Sequence, residues 1–417
     1  MFRLGFTYWM LFCLYVFHTE VGSFRWFDKL LGPAWDALEI WVGAAVFGVS
    51  GFPTAENGSG DKTADWIALA CIATIALVAA LIWALLDRRR TRDAQLRELA
   101  RVVVRYTMVF VLFYFGLAKL LLLQFPALGG AQVIRRFGDA SPMGLVWSFM
   151  SYSPAYVFFA GAAETLGAVL MVFRRTTTLG ALVAGVVLIN VTLLNYCYDV
   201  PLKLSSSHYV AMCGYLLLPD LRGFVSLLWS RRPIQPAPLY EPALRARWQR
   251  LARWTIKAAI ITYLGVSTTA EELSWRPPAV TGWYEGVWMV TSFSRGGTEL
   301  PALVGDAQRW SRLRFQTTSE RVLVRWRLMD DSYGRLCTVA FDEAHRTVRF
   351  VPEPEATEAS PEQPVTFAYL HPDADHLEIE GVVDGVTLGV QLVRFDAAQT
   401  PLLRRGYHWI NEFPFHR

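Results

Sequence analysis

Two charged residues stand inside apolar runs that otherwise carry no charge: Lys119 in FGLAKLLL and Glu164 in FAGAAETLGAVL. A second polar group surrounds LLNYCYDVPLKLSSSHY, residues 193–209, and comprises Asn190, Asn195, Asp199, Lys203 and His208. A carboxylate at the centre of a bilayer helix costs about 2.5–3.5 kcal/mol on the most lenient insertion scale, so Glu164 must face protein, water or a cation, or be protonated. Gly161, Ala162, Ala163, Gly167 and Ala168 allow another helix to come close on that side. A carboxyl and an ammonium in such a place can accept a proton or hold a polar ligand oxygen. The alternative is a Lys119–Glu164 pair that only fixes helix packing, with Asp199, Lys203 and His208 serving helix ends. His208 has no second His or Cys at ligand spacing, and no metal site is expected.

The elements that must position these groups are membrane helices. Hydrophobic residues make up 53% of the 417, charged residues only 18%, and the mean hydropathy is +0.28, so the bilayer is part of the solvent. A crossing helix needs about 20 mostly apolar residues. Seven stretches approach this, near 4–17, 65–86, 102–123, 154–173, 177–196, 208–228 and 251–268. The first is rich in aromatics and runs into HTEVGSFRW rather than a small-residue cleavage site, which predicts a retained helix. Basic residues crowd into alternate connections (Arg88 to Arg90, Arg174 with Arg175, Arg231 with Arg232), which places the N-terminus in the cytoplasm and the C-terminal domain outside. A net charge of +4 spread in such blocks does not form a stripe for nucleic acid.

On this topology Glu164 lies about ten residues, roughly 15 Å, below the outer end of its helix. Lys119 is about five residues below the outer end of its own, Asn190 and Asn195 occupy the outer half of the next, and Asp199, Lys203 and His208 follow at the mouth. Residues 24–52, with Trp26, Trp35 and Trp41, suit an interfacial or re-entrant segment, and residues 135–154 are expected to lie along the same outer surface. RRPIQPAPLYEP, residues 231–242, reads as an extended cytoplasmic linker. Five cysteines show no CxxC or metal spacing, and only Cys197 and Cys213 are candidates to approach one another.

From Tyr284 the period changes to two. Eight short runs, from GVWMVTSFSRGG to VTLGVQLVRFD, are separated by turn residues, which predicts an up-and-down antiparallel barrel. Gly286 and Trp288 in GVW resemble the opening of a lipocalin or wider calycin barrel, where the tryptophan closes one end and an arginine covers it; Arg404 or Arg405 is the candidate for that arginine. PEPEATEASPEQP, residues 352–364, reads as a disordered hairpin loop. The aromatic end, with Tyr407, Trp409, Phe413 and Phe415, suits core or docking, and the same holds for His408 and Glu412. Ser-His-Asp order, a phosphate loop and a HExxH helix are all missing from the sequence.

GLAKLL, GAAETLGAVLMVFRRTTTLGAL and NYCYDVPLKLSSSHY together resemble the DoxX-like family of small helical membrane proteins, over about residues 100–230. The resemblance implies a four-helix core, with Lys119, Glu164, Asn195, Asp199 and Lys203 lining its polar pocket. It also implies a link to thiosulfate:quinone oxidoreduction or to membrane oxidoreductase complexes handling thiol stress. The chain departs from the small members by extra helices on both sides of the core and by its outer domain. The expected order is therefore N-terminal helices with an interfacial segment (1–99), the DoxX-like core (100–230), a cytoplasmic linker (231–250), a last transmembrane helix (251–270) and an extracytoplasmic barrel-like β domain (283–417).

Three functions follow. The first is a redox-associated subunit of a bacterial-type cytoplasmic membrane, quinone- or thiol/thiosulfate-linked, whose helical bundle binds a quinone at Glu164 and Lys119 or docks an oxidoreductase partner; with no haem, flavin or iron-sulfur ligand pattern, the chain would not carry electrons alone. The second is binding or transfer of a lipid or small apolar ligand, and the third a membrane assembly factor. Whether the chain is itself an enzyme is open at this point.

Overall fold

The structure is a computed structural model that describes residues 2–19, 25–55, 57–87, 93–230, 246–274, 282–318, 321–353, 363–406 and 408–409. The linker 231–242, most of the acidic insert, and Tyr407, Glu412, Phe413 and Phe415 lie outside them. The chain divides into two compact units, Met1–Pro126 with Ser141–Trp275, and Ala127–Ala140 with Arg276–Arg417.

In chain order the helices are α1 (Phe2–Thr19), α2 (Arg25–Val42), α3 (Thr63–Leu86), α4 (Asp93–Leu120), α5 (Gly130–Val133), α6 (Pro142–Tyr152), α7 (Pro154–Val172), α8 (Thr177–Cys197), α9 (Lys203–Ser230), α10 (Arg247–Ser274) and α11 (Pro401–Arg404). All but α5 and α11 belong to the first unit. Among the described residues, four helical stretches are long and apolar enough to cross a membrane: Thr63–Leu86, Asp93–Leu120, Pro154–Val172 and Arg174–Cys197. The expected stretches 208–228 and 251–268 are helical as parts of α9 and α10, and the first forms the shorter apolar helix α1.

Local sequence sets the helix starts. Ser141 and Ser153 each precede a proline at the first helical position and accept backbone N–H bonds from Gly144 (3.0 Å) and Tyr156 (3.3 Å). At α3, the Asp65 carboxylate accepts from the Lys62 N–H at 2.8 Å. Two-thirds (67%) of the apolar window of α4 is buried against 22% for α3, so α4 is the central helix. Its Val104, Met108 and Leu112 join Phe12 of α1, Met171 of α7 and Met212 of α9 in one core.

α4 and α7 touch through glycine. A Cβ on Gly161 would stand 2.7 Å from the Gly116 carbonyl oxygen and 2.8 Å from both Leu120 N and Lys119 Cβ. Only hydrogen at this position lets the two backbones meet, and the meeting sets Lys119 beside α7.

The second unit contains β1 (Gly286–Arg295), β2 (Thr298–Glu299), β3 (Trp310–Thr317), β4 (Val322–Leu328), β5 (Tyr333–Asp342), β6 (Thr347–Pro352), β7 (Val365–Asp373), β8 (His376–Val383) and β9 (Val386–Arg394). Apart from the two-residue β2, which pairs with the end of β1, each strand pairs with the next long one, and β9 pairs back to β1. The result is a closed, eight-stranded antiparallel barrel, with every expected run supplying one strand. Trp288, Phe293, Trp310, Phe315, Phe350 and Phe367 fill its interior.

Three expectations are corrected here. Residues 135–154 do not act as one segment: Ala127–Ala140 folds with the barrel, where Gly130 rests near Val287 and Phe395, while α6 folds with the helices. The arginine over Trp288 is Arg394, its guanidinium 4.4 Å from the indole centroid, not Arg404 or Arg405. Trp288 and Arg394 face one another across the β1–β9 pairing, and Arg394 donates to the Glu285 carbonyl at 2.6 Å and to that of Trp283. Gly286 adopts φ +120°, a conformation that favours glycine, at the start of the strand. Finally, Cys213 sits against Gly185, twelve residues before Cys197 in α8, so the two cysteines are about 18 Å apart along the helix axis.

Candidate functional site

α4, α6, α7, α8 and α9 enclose a cavity of about 280 Å³ in the helical unit. Its wall is mainly apolar, with Leu112 and Phe115 from α4, Trp147 and Met150 from α6, and Leu188 and Val191 from α8. Phe125, Val146, Met150 and Val157 form a small separate core that holds α6 in place beside it.

The polar groups sit in this apolar wall. Lys119 donates to Glu164 Oε2 at 2.8 Å, and both side chains are buried, at 8% and 3% exposure. The ammonium also donates to the Phe115 carbonyl at 3.4 Å. Asn195 donates to Ser206 Oγ (3.1 Å) and to the Leu202 carbonyl (3.2 Å), which ties the end of α8 to the start of α9. Gln124 Oε1 lies buried at the cavity without a hydrogen-bond partner among the described residues. A buried amide oxygen left in this state is destabilising unless water or a ligand donor meets it.

The remaining sequence candidates are placed elsewhere. Asn190 is exposed, because five residues along a helix turn it about 140° away from Asn195. Asp199 adopts φ +51° in the α8–α9 turn, and its carboxylate accepts from Lys203 at 2.8 Å near the surface. Lys203 also lies 3.6 Å from Asp61, which in turn accepts from the backbone N–H groups of Lys203 and Leu204, both at 2.9 Å. Asp61 therefore caps α9, and these charges stabilise a helix start rather than line the cavity. His208 stacks on Phe12 at 4.2 Å between ring centroids, and its two nitrogens contact the Leu204 carbonyl (2.8 Å) and the Tyr8 hydroxyl (2.7 Å). The carbonyl can only accept, so Nδ1 carries the hydrogen and Nε2 accepts from Tyr8. His208 thus clamps α9 to α1.

Sequence reasoning overlooked Gln124, Ser206 and Asp61, which carry no signal beyond being polar near an apolar run. It also overlooked Glu39 of α2, buried at 4% exposure beside a second hollow lined by Asp36, Lys62 and Asp65. Burial, aided by Asp36, pushes the Glu39 carboxyl up to about 7. Among the described residues no three His, Cys, Asp or Glu side chains come together in a way that could hold a metal ion.

Over 147 residues the chain is 33% identical to the uncharacterized protein YwoB of Bacillus subtilis (strain 168), covering 91% of that protein and 35% of this chain. The chain belongs to the same family as YwoB. YwoB is itself uncharacterized, so the relation carries no activity with it. No family model matches the chain, and no solved structure matches it.

Proposed function

We propose that the protein is a DoxX-like, redox-associated membrane subunit whose helical cavity holds a quinone head group. The observation that carries this reading is the buried Lys119–Glu164 pair in a mainly apolar cavity, with the Gln124 oxygen, unpartnered among the described residues, beside it. A flat, mostly apolar ring with polar oxygens suits such a lining, which offers an ammonium donor and an amide acceptor. When bound, a quinone supplies two-electron, two-proton redox chemistry. Lys119 would donate to a carbonyl oxygen, Gln124 Oε1 would accept from a hydroxyl of the reduced form, and Glu164 would take or return a proton through the Lys119 contact. The apolar wall would exclude water. Electrons would come from an oxidoreductase partner.

We place the protein in a bacterial-type cytoplasmic membrane with seven spans and the barrel on the extracytoplasmic side. The alternation of basic connections supports this. So does the folding of Ala127–Ala140, which follows α4, as part of the unit that follows α10. The test is titration of the purified full chain with a short-chain quinone and with its hydroquinone, followed by tryptophan fluorescence. Saturable binding of both should weaken in Lys119→Met, and that of the hydroquinone alone in Gln124→Leu; no saturable binding to the wild type would remove the proposal.

A second reading, binding of a small apolar ligand, is favoured by the same lining, which includes Phe115, Trp147 and Leu188. Such a ligand would occupy the helical cavity, since aromatic side chains fill the barrel.

A further inference from the structure

The outward face of the barrel carries an arrangement of charge that its own fold does not explain. β3 and β4 pair with Arg312 opposite Arg327 and Arg314 opposite Arg325. These four alternate with Leu313, Phe315 and Val324, which are buried in the barrel, so the arginines share the outer face. Like charges directly opposite one another on adjacent strands are destabilising, and here two such pairs follow in succession.

The first pair has a counter-charge. Asp331 lies 3.3 Å from Arg312 and 3.9 Å from Arg327, and it also pairs with Arg136. The second pair has no carboxylate partner among the described residues. Arg325 is instead held in place by its contact with the Tyr333 ring (4.4 Å) and by donating to the Gly334 carbonyl at 3.3 Å. Around these residues lies a groove of about 520 Å³, walled on one side by Gln132, Ile134 and Arg135 and floored by Leu323 and Leu336. Among the described residues, five arginines and no carboxylate line it.

We propose that this groove binds a phosphate-bearing ligand, with the phosphate bridging Arg314 and Arg325 and the adjoining part of the molecule resting on Leu323 and Leu336. Guanidinium forks on neighbouring strands, about 5 Å apart, match the several oxygens of one phosphate, and the bound anion removes the repulsion between them. The shared chemistry is the phosphate group, carried either by a small soluble ester or by a lipid head group. This site is independent of the helical cavity and of the quinone reading.

The test uses the full chain in an uncharged detergent at low ionic strength, without phosphate. Calorimetric titration and thermal melting are run with inorganic phosphate, with dihexanoyl phosphatidylglycerol, and with dihexanoyl phosphatidylcholine as the zwitterionic control. Variants are the double substitution Arg314→Gln/Arg325→Gln and, as a control at an exposed arginine outside the groove, Arg349→Gln. An anionic ligand should raise the melting temperature of the wild type and of Arg349→Gln and bind the double variant at least about tenfold more weakly. Without ligand the double variant should melt above the wild type, because the repulsion is gone. Comparable affinity for inorganic phosphate supports the site and points to a soluble ester; a tenfold or greater preference for the phosphatidylglycerol supports it and points to a lipid. The proposal is overturned if neither anion binds the wild type, if the double variant binds them equally well, or if it melts lower than the wild type in phosphate-free buffer.

Discussion

Replacing Lys119 and Glu164 singly and together separates their role in stability from their role in binding. Their 2.8 Å contact corresponds to an attraction of about 6 kcal/mol at an effective dielectric constant of about 20. Desolvation of the two ions opposes this by several kcal/mol each, so the pair as a whole adds little to stability. Removing one member leaves the other buried and uncompensated, which costs about 3–5 kcal/mol. Lys119→Met or Glu164→Leu alone should therefore lower the melting temperature by roughly 10 °C. The double variant should return to within about 1–2 kcal/mol of the wild type. The assay is thermal unfolding in mild detergent followed by tryptophan fluorescence, with short-chain quinone binding measured on the same samples. The expected pattern is restored stability in the double variant without restored binding. A single variant that melts with the wild type would refute the buried ion pair, and a double variant that binds quinone normally would refute its role in the site.

Three further outcomes are expected. Gly161→Ala should force α4 and α7 apart, cost about 1–3 kcal/mol in thermal unfolding, and weaken quinone binding through displacement of Lys119. Arg394→Met should strip the cover from Trp288 and leave the carbonyls of Glu285 and Trp283 without their donor, lowering barrel stability by about 2 kcal/mol and shifting tryptophan emission. Glu39 has its carboxyl raised from 4.5 to about 7 in the folded protein, so the native state binds more protons than the unfolded chain between those values. Its stabilising effect is full below about pH 4.5 and is lost as pH rises through about 7, a change of up to about 3 kcal/mol. Melting temperatures from pH 5 to 8 should show this decline in the wild type and its loss in Glu39→Gln.

The barrel was legible because a strict period of two with turn residues between runs admits few arrangements, and GVW marked its first strand. The arginine over Trp288 was not, because the β1–β9 register that sets Arg394 opposite Trp288 depends on closure, a long-range event with no local signal. Helix positions were legible from apolar run length. The direction each polar residue faces was only partly so: Lys119 and Glu164 were both expected in the outer half of the bundle at different depths, and it is the glycine contact between α4 and α7 that brings them within hydrogen-bonding distance. Asn190 and Asn195 look alike in sequence and part by rotation around α8. Lys203 and His208 turned to Asp61, Tyr8 and Phe12, partners contributed by segments more than a hundred residues earlier, and Asp199 turned to Lys203. The split of residues 135–154 between two units followed from tertiary contacts that no local pattern records.

The most direct measurement is mass spectrometry of the organic extract from the full chain purified in mild detergent from a quinone-containing membrane, with Glu164→Gln prepared in parallel. A quinone or hydroquinone near one equivalent is expected in the wild type, with its loss from the folded variant. A wild-type extract without quinone, or equal amounts in both samples, would contradict it.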